Sequence, residues 1–173
     1  MGGDPRVGDV DLSAEVMTAE ATITEDLAEE VKDAPVVATQ TVNDGREPEP
    51  QVATGRFTTA IEIKPLITAT RAGWVAIGSS EAGDLLYFSQ LLGFRCGLWD
   101  IHYGLNGAPP TIPVVMEECH TGTRSPNAIT DPMAFPIYIT EPQGSIETVE
   151  VQVTFDDGTI DAAVYGRQLI LLP

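Results

Sequence analysis

The clearest alternation of hydrophobic and polar positions in this chain covers residues 147–155. Three valines and Phe155 occupy every second position there, with threonine, glutamate and glutamine between them. A strict period of two over this length predicts a β-strand with one buried face. The Asp-Asp-Gly sequence at residues 156–158 is typical of a tight hairpin turn, and the next apolar run, residues 160–165, supplies the predicted partner strand.

Similar short runs, rich in β-branched and aromatic residues, recur from residue 51 onward and are separated by residues typical of turns. Besides the hairpin, the predicted strands cover residues 57–63, 73–77, 85–88, 96–103, 111–116, 134–140 and 168–172. The Gly-, Ser-, Asn- and Pro-rich residues 121–133 predict a surface loop. Pro65 predicts that any helix between Ile61 and Arg71 is short. Eight or nine short strands without strand–helix–strand alternation predict an all-β sandwich or barrel.

The first fifty residues differ in composition from the rest. They hold 13 of the 26 acidic residues, only 3 of the 9 Lys and Arg residues, and no aromatic residue. Such a segment cannot bury much surface by itself. One short helix is predicted, because residues 22–25 (Thr-Ile-Thr-Glu) match a capping box and Leu27 and Val31 form an i, i+4 apolar pair. We therefore expect an acidic N-terminal arm over residues 1–50, ordered through a partner, and one β domain over residues 51–173.

The overall charge narrows the possible partners. The formal net charge is −17 and the isoelectric point is about 4.1, with only two lysines. Direct nucleic-acid binding is not expected, because it requires clustered Lys and Arg to neutralise phosphates. Few lysines and many carboxylates favour a protein from a high-salt environment, where salt screens the repulsion between like charges. An acidic mesophilic protein with a disordered acidic tail is the alternative. The N-terminus lacks a basic start followed by an apolar run, and no stretch of about 18 apolar residues occurs, so we expect neither a signal peptide nor a membrane span.

Four residues carry the soft-ligand and nucleophile chemistry of the chain: Cys96, His102, Cys119 and His120. Their spacing matches no common zinc-ligand pattern. Neighbouring residues on a strand point to opposite faces, which opposes a Cys119–His120 dyad. Two cysteines allow either a disulfide or buried thiols, and we expect buried thiols because free Cys packs well in cores.

Two pairs of adjacent carboxylates are the other candidates for chemistry. Glu117-Glu118 and Asp156-Asp157 are expected to form a solvated acidic rim, since adjacent residues cannot flank a substrate as paired catalytic carboxylates do. Calcium binding by Asp156, Asp157 and Asp161 is an alternative that lacks the spacing of an EF-hand loop. Nucleophile-elbow, Walker and dinucleotide-binding motifs are absent. We therefore predict no enzyme, no catalytic residue, no cofactor, no metal site and no small-molecule substrate; a small enzyme using Cys119, His120 or His102 is the weaker alternative.

Two segments resemble virus capsid proteins. Residues 87–103, aromatic-rich with a turn at Arg95-Cys96-Gly97, resemble a segment of picorna-like jelly rolls, and residues 145–155 resemble a late strand of the same proteins. Size, composition and strand count are more similar to another group. These are the small single jelly-roll major capsid proteins of tailless, internal-membrane icosahedral viruses of halophilic archaea or thermophilic bacteria.

This resemblance implies a single jelly roll of about eight strands with an extended N-terminal arm. It implies a structural protein located in the virion that assembles the capsid with copies of itself and with a second, larger jelly-roll partner. It further implies an arm that reaches neighbouring subunits and a position near an internal viral membrane.

A binding module for carbohydrate or another surface ligand is the alternative function. Such modules present exposed aromatic rings in a groove, and Trp74 and Trp99 are the candidates. Core packing is the expectation for both tryptophans.

Overall fold

A computed structural model describes residues 40–42 and 44–173, which belong to the unit Thr39–Pro173. Its strands are β1 (Gln40–Thr41), β2 (Ala76–Ser80), β3 (Gly83–Tyr87), β4 (Leu98–Leu105), β5 (Ile112–Pro113), β6 (Tyr138–Glu141), β7 (Thr148–Phe155) and β8 (Thr159–Gly166). Its helices are α1 (Ala60–Ala69), α2 (Ser89–Leu92) and α3 (Arg167–Ile170), with 3₁₀ turns at Arg71–Gly73 and Arg95–Gly97.

The strands form two antiparallel sheets. One sheet has five strands in the order β1-β8-β7-β4-β5, and the other has three in the order β2-β3-β6. Buried residues from both sheets and from α1 form a single hydrophobic core. The prediction of a mostly β protein is therefore confirmed. In the described part of the chain, no helix is long and apolar enough to cross a membrane.

The predicted C-terminal hairpin is confirmed. Strands β7 and β8 pair in antiparallel register from Thr148 opposite Gly166 to Thr154 opposite Ile160. The turn between them places Gly158 at φ 81°, a left-handed conformation that favours glycine. The three valines of β7 are fully buried and Phe155 is nearly so, which is the face that the alternation predicted.

The strand predicted at residues 57–63 is wrong, because helix α1 occupies most of this region and continues through Pro65. The apolar residues that α1 buries, Ala60, Ile63 and Ile67, follow helical spacing. Pro65 is exposed, and the carbonyl that loses its hydrogen-bond donor belongs to Ile61, which is also exposed. Water can satisfy that carbonyl, so the proline does not end the helix.

The strand predicted at residues 168–172 is also wrong. Its first part is helix α3, and only Leu171 forms an isolated parallel bridge, to Ile77 of β2. The predicted strand at residues 111–116 shrinks to the two residues of β5, and β6 begins at Tyr138, two residues after Pro136. Residues 121–133 contain no strand or helix, as predicted.

The part of the predicted arm that the structure describes is attached to the β domain. Strand β1 pairs with β8, and the Glu49 N–H donates to the Asp156 carbonyl at 2.8 Å. Residues 40–42 and 49 of the predicted arm therefore contact the β domain. The helix predicted around residues 22–31 lies outside the described residues, and the arm stays a prediction there.

Candidate functional site

The two cysteines form a disulfide, so the expectation of buried thiols is wrong. Cys96 lies in the 3₁₀ turn before β4, Cys119 lies in the segment after β5, and their Cα atoms are 5.0 Å apart. Strand β5 runs antiparallel to β4, so the chain after β5 returns to the start of β4 and Cys119 comes next to Cys96. The spacing of the two cysteines in the sequence does not predict that they lie close together, because their distance depends on the path of the chain after β5.

Arg95, next to the disulfide, is a buried guanidinium that binds backbone carbonyls instead of a carboxylate. It donates to the carbonyls of Glu117, Glu118 and Ala128 at 2.7, 3.1 and 3.0 Å, and also to those of residues 126 and 127. Only 3% of Arg95 is exposed, and burial lowers the pKa of its guanidinium. Five acceptors satisfy the fork of donors that an arginine presents. Arg95 and the disulfide together fix the loop that follows β5.

Glu117, His120 and Thr130 form a polar cluster inside that loop. The Glu117 carboxylate accepts bonds from the Thr130 N–H at 2.7 Å, from the Thr130 hydroxyl and from His120 Nε2 at 3.0 Å. The bonds from Thr130, foremost that of its hydroxyl, lower the pKa of Glu117 to about 2. A hydrolase triad needs the hydroxyl on one imidazole nitrogen and the carboxylate on the other. Here both groups approach Nε2 and the hydroxyl donates to the carboxylate, so the cluster does not activate a nucleophile.

The other soft ligand, His102, does not join this cluster. It lies on β4, with Gln152 and Pro113 opposite it on the neighbouring strands. Within the described residues, no group of three or more His, Cys, Asp or Glu side chains is placed to hold a metal ion.

The expectation of a solvated acidic rim is wrong for one member of each carboxylate pair. Glu117 is buried in the loop, and Asp156 is 1% exposed. Asp157 pairs with Lys64 and Asp161 pairs with Arg71, so these acids contact cations of their own chain. They are not left free to share a calcium ion.

Asp156 follows β7 in the chain and contacts the first residue of helix α1. Its Oδ1 accepts hydrogen bonds from the Ala60 N–H and from Gln51 Nε2, both at 2.8 Å. Its Oδ2 is buried and has no hydrogen-bond partner among the described residues. Burial is the largest effect and raises the pKa of Asp156, which favours its protonated form more than in an exposed aspartate.

Neither tryptophan offers a bare ring in a groove. Trp74 is fully buried and donates from Nε1 to the Ile67 carbonyl at 2.8 Å. Trp99 is partly exposed, but the Arg46 guanidinium lies over its ring, 4.5 Å from the centroid. The carbohydrate-binding alternative therefore loses the two aromatic residues on which it rested.

One side of the domain holds β1, the part of β8 after Ile160 that β1 leaves uncovered, and β2; α3 contacts both β8 and β2, and we call this the closed side. At β8, Arg71 donates to the Ala162 carbonyl at 2.7 Å, and the Asp161 carboxylate accepts the Ala162 N–H at 2.8 Å. At β2, the Leu172 N–H donates to the Ile77 carbonyl at 2.8 Å. Side chains and the C-terminal tail thus occupy both backbone groups of Ala162 and the carbonyl of Ile77, which another strand would need.

A buried ion pair also stabilises the closed side. Arg167 binds both carboxylate oxygens of Asp84, which is fully buried on β3. Asp84 further accepts the Ser79 hydroxyl at 2.7 Å and the Gly144 N–H at 3.0 Å. The Arg167 hydrogen bonds, as the largest effect, lower the pKa of Asp84 to about 2.

The opposite side, where β5 and β6 end their sheets, is the open side. These strands border a groove of about 360 Å³ with the Phe88 ring as part of its lining. The other lining residues are Pro113, Val114, Val115, Met133, Ala134, Pro136, Tyr138 and Ile139. None of them carries a charge.

Large apolar side chains of the open side reach solvent. Met133 is 92% exposed and Val115 is 63% exposed, and Tyr138 and Ile112 are also exposed beside the groove. A contiguous apolar surface without charges is typical of an interaction site. Sequence reasoning missed this groove, because residues 113–115 and 133–139 come together only through the packing of the two sheets.

Comparisons with protein-family models, with curated proteins and with solved structures find no match to this chain.

Proposed function

We propose that this chain is a structural, non-enzymatic subunit of an icosahedral virus capsid. In this proposal it assembles with copies of itself and with a larger jelly-roll subunit, and its place is the virion. The jelly-roll wrap of the chain is part of the proposal. The two-sheet architecture supports the proposal. The strand order supports it less, because β2–β3 and β7–β8 are hairpins within single sheets.

The observation that carries the proposal is the contrast between the two sides of the domain. Backbone groups at the closed side are occupied by Arg71, Asp161 and the C-terminal tail. The open side leaves an apolar groove exposed. A subunit with an occupied strand edge on one side and an exposed apolar groove on the other is suited to directional contacts in a shell.

The charge of the chain supports the same proposal. With a net charge of −17, two copies repel each other wherever their acidic surfaces meet. The uncharged groove is a surface where a neighbour can bind without that repulsion. High salt screens the remaining repulsion, so assembly is expected to strengthen as the salt concentration rises.

The test is sedimentation velocity and electron microscopy of the purified chain in molar potassium chloride over a range of protein concentrations. We expect multimers that dissociate at low salt. Val115→Asp on the open side should abolish them, because it places a charge beside the groove. Val164→Asp is the matched control, since Val164 lies on β8 of the closed side and is 67% exposed, against 63% for Val115.

Met133→Asp and Leu169→Asp form a second matched pair, at exposures of 92% and 81%. All four variants should unfold at the same denaturant concentration as the unmodified chain. A chain that stays monomeric at every salt and protein concentration would overturn the proposal. Equal multimerisation of the Val115→Asp and Val164→Asp variants would overturn the role of the groove.

A further inference from the structure

The basic residues of the described chain divide into two groups. Seven Lys and Arg residues lie between residues 44 and 173. Four of them pair with carboxylates, namely Arg46, Lys64, Arg71 and Arg167. Arg95 is buried on carbonyls. Among the described residues, only Arg56 and Arg124 are exposed without an ion pair, and both line the same cavity.

This cavity has a volume of about 340 Å³ and lies between two loops. Arg56 and Phe57 come from the loop before α1, and Arg124, Ser125 and Asn127 come from the loop after β5. No Asp or Glu lines it. A chain with a net charge of −17 therefore presents a concave surface with two guanidinium groups and no acid.

The two loops are held rigidly. Asn127 Nδ2 donates to the Phe57 carbonyl at 2.9 Å, and its Oδ1 accepts the Cys96 N–H at 2.8 Å. The Glu62 carboxylate accepts the N–H groups of Gly55 and Thr58. Arg56 Nη1 donates to the carbonyls of Thr121 and Thr123 in the facing loop. These bonds form the cavity in advance of any ligand, which lowers the entropy cost of binding.

Phe57 adopts a strained conformation at the rim of the cavity. Its φ angle is 58°, in the left-handed region that residues other than glycine rarely adopt. Its ring is 45% exposed and packs edge-on against Phe94 at a centroid distance of 6.1 Å. Strain of this kind persists where the surroundings enforce it and is concentrated at ligand sites. Here it holds an exposed aromatic ring in the lining of a cavity that Arg56 and Arg124 also line.

We propose that this cavity binds a carboxylated sugar of monosaccharide size, of the uronic acid class. Arginine recognises carboxylates through charge-assisted hydrogen bonds. The Phe57 ring offers an apolar surface to the C–H face of a sugar, and the Ser125 hydroxyl offers a hydrogen-bond partner to a sugar hydroxyl. The volume lies at the lower end of small-molecule sites, which fits a single sugar unit.

An acidic peptide carries the same carboxylate chemistry but fits the molecule less well. Each additional negative charge on a ligand is repelled by the net charge of −17 on the chain, so a single anion is favoured over a multiply charged segment. A peptide main chain also needs a groove longer than this cavity. The inference stands independently of the capsid proposal, because binding does not require assembly.

The experiment is a titration of the full chain, labelled with ¹⁵N, with D-glucuronate, D-glucose, sodium acetate and a Glu-rich hexapeptide, at constant ionic strength. We expect saturable amide shifts at residues 56, 57, 124 and 125 with glucuronate, at millimolar concentrations. Glucose and acetate should each bind at least about tenfold more weakly, because each supplies only half of the recognition. The hexapeptide should also bind more weakly.

Three variants test the residues. Arg124→Gln should weaken glucuronate binding about tenfold. Phe57→Gly should also weaken it while leaving the fold intact, since glycine accepts the positive φ. Arg46→Gln is the control, because that arginine lies outside the cavity, over the Trp99 ring, and already pairs with Asp44 and Asp100. Equal binding of acetate and glucuronate, tighter binding of the hexapeptide, or unchanged binding by Arg124→Gln would each overturn the proposal.

Discussion

The closed and open sides of the β domain end their sheets in opposite ways. On the closed side, Asp84 is fully buried and bound by Arg167, and Arg71 with Asp161 occupies the edge of β8. On the open side, apolar residues line an exposed groove that contains no charged side chain. The buried Arg167–Asp84 pair thus lies on the closed side, and the uncharged groove lies on the open side.

The difference between the two sides shows where an acidic protein can bury a carboxylate and where it can bind a neighbour. A buried carboxylate requires a cation and hydrogen bonds, because an unpaired buried charge is very costly. Asp84 meets that requirement with three partners on the closed side. Exposed acids elsewhere keep copies apart. An uncharged groove is then the part of the surface where association with another subunit is opposed least.

The largest expected effect comes from breaking the ion pair of the closed side. Asp84→Ala leaves Arg167 without its carboxylate and should lower the free energy of unfolding by about 3 kcal/mol in denaturant titrations. The lowered pKa of Asp84 makes its contribution present above about pH 4 and lost as the pH falls toward 2. Asp100→Ala, which removes an exposed pair with Arg46, should cost less than about 1 kcal/mol. Equal costs for the two variants would contradict the contrast between buried and exposed pairs.

The second-largest effect on stability is expected from loss of the disulfide. This loss should act mainly on the segment that follows β5. Replacing Cys96 and Cys119 together by serine opens a loop with a sequence separation of 23. Chain entropy predicts a loss of about 3 kcal/mol. Amide hydrogen exchange should accelerate in β5 and in residues 117–130, while β7 and β8 stay protected. Uniform acceleration in all strands would show that the disulfide does not act locally.

A smaller effect is expected from uncovering the edge of β8. Arg71→Ala removes the donor to the Ala162 carbonyl and should cost about 1 kcal/mol. It should also make the closed side prone to strand addition, which light scattering would detect as new, slow association. The Arg71→Ala, Val115→Asp double variant separates the two sides, because any association it shows cannot use the groove. If the single variant remains as free of slow association as the unmodified chain, Arg71 does not protect the edge.

The smallest effect concerns Asp156, which contacts the first residue of α1. Its pKa is raised, so the stability that its protonated form contributes is present at low pH and is lost as the pH rises through the folded-state pKa. Asp156→Asn keeps the acceptor for Ala60 and Gln51 and removes the charge. Its free energy of unfolding should stay within about 1 kcal/mol of the unmodified chain at low pH and should decline less as the pH rises from 4 to 7. A parallel decline in both proteins would contradict the raised pKa.

Local pattern predicted the parts of the fold that depend on neighbours in sequence. The β7–β8 hairpin followed from alternation and from the Asp-Asp-Gly turn, and the irregular loop at residues 121–133 followed from its composition. Helix α1 was missed because the bulky residues before Pro65 are equally typical of a strand. Its helical state depends on Glu62, which accepts backbone N–H groups of the preceding loop, and on the burial of Ile63 and Ile67.

The candidate sites depended on contacts between distant segments and were therefore out of reach. The disulfide, the carbonyls around Arg95 and the cavity with Arg56 and Arg124 each join segments more than twenty residues apart. By itself the sequence determined the β character, the register of the last hairpin and the strong negative charge, since these follow from period, turn chemistry and composition. Only the tertiary structure decided which carboxylates are buried, which arginines remain unpaired and which side of the domain is open, because burial and pairing are set by packing between elements.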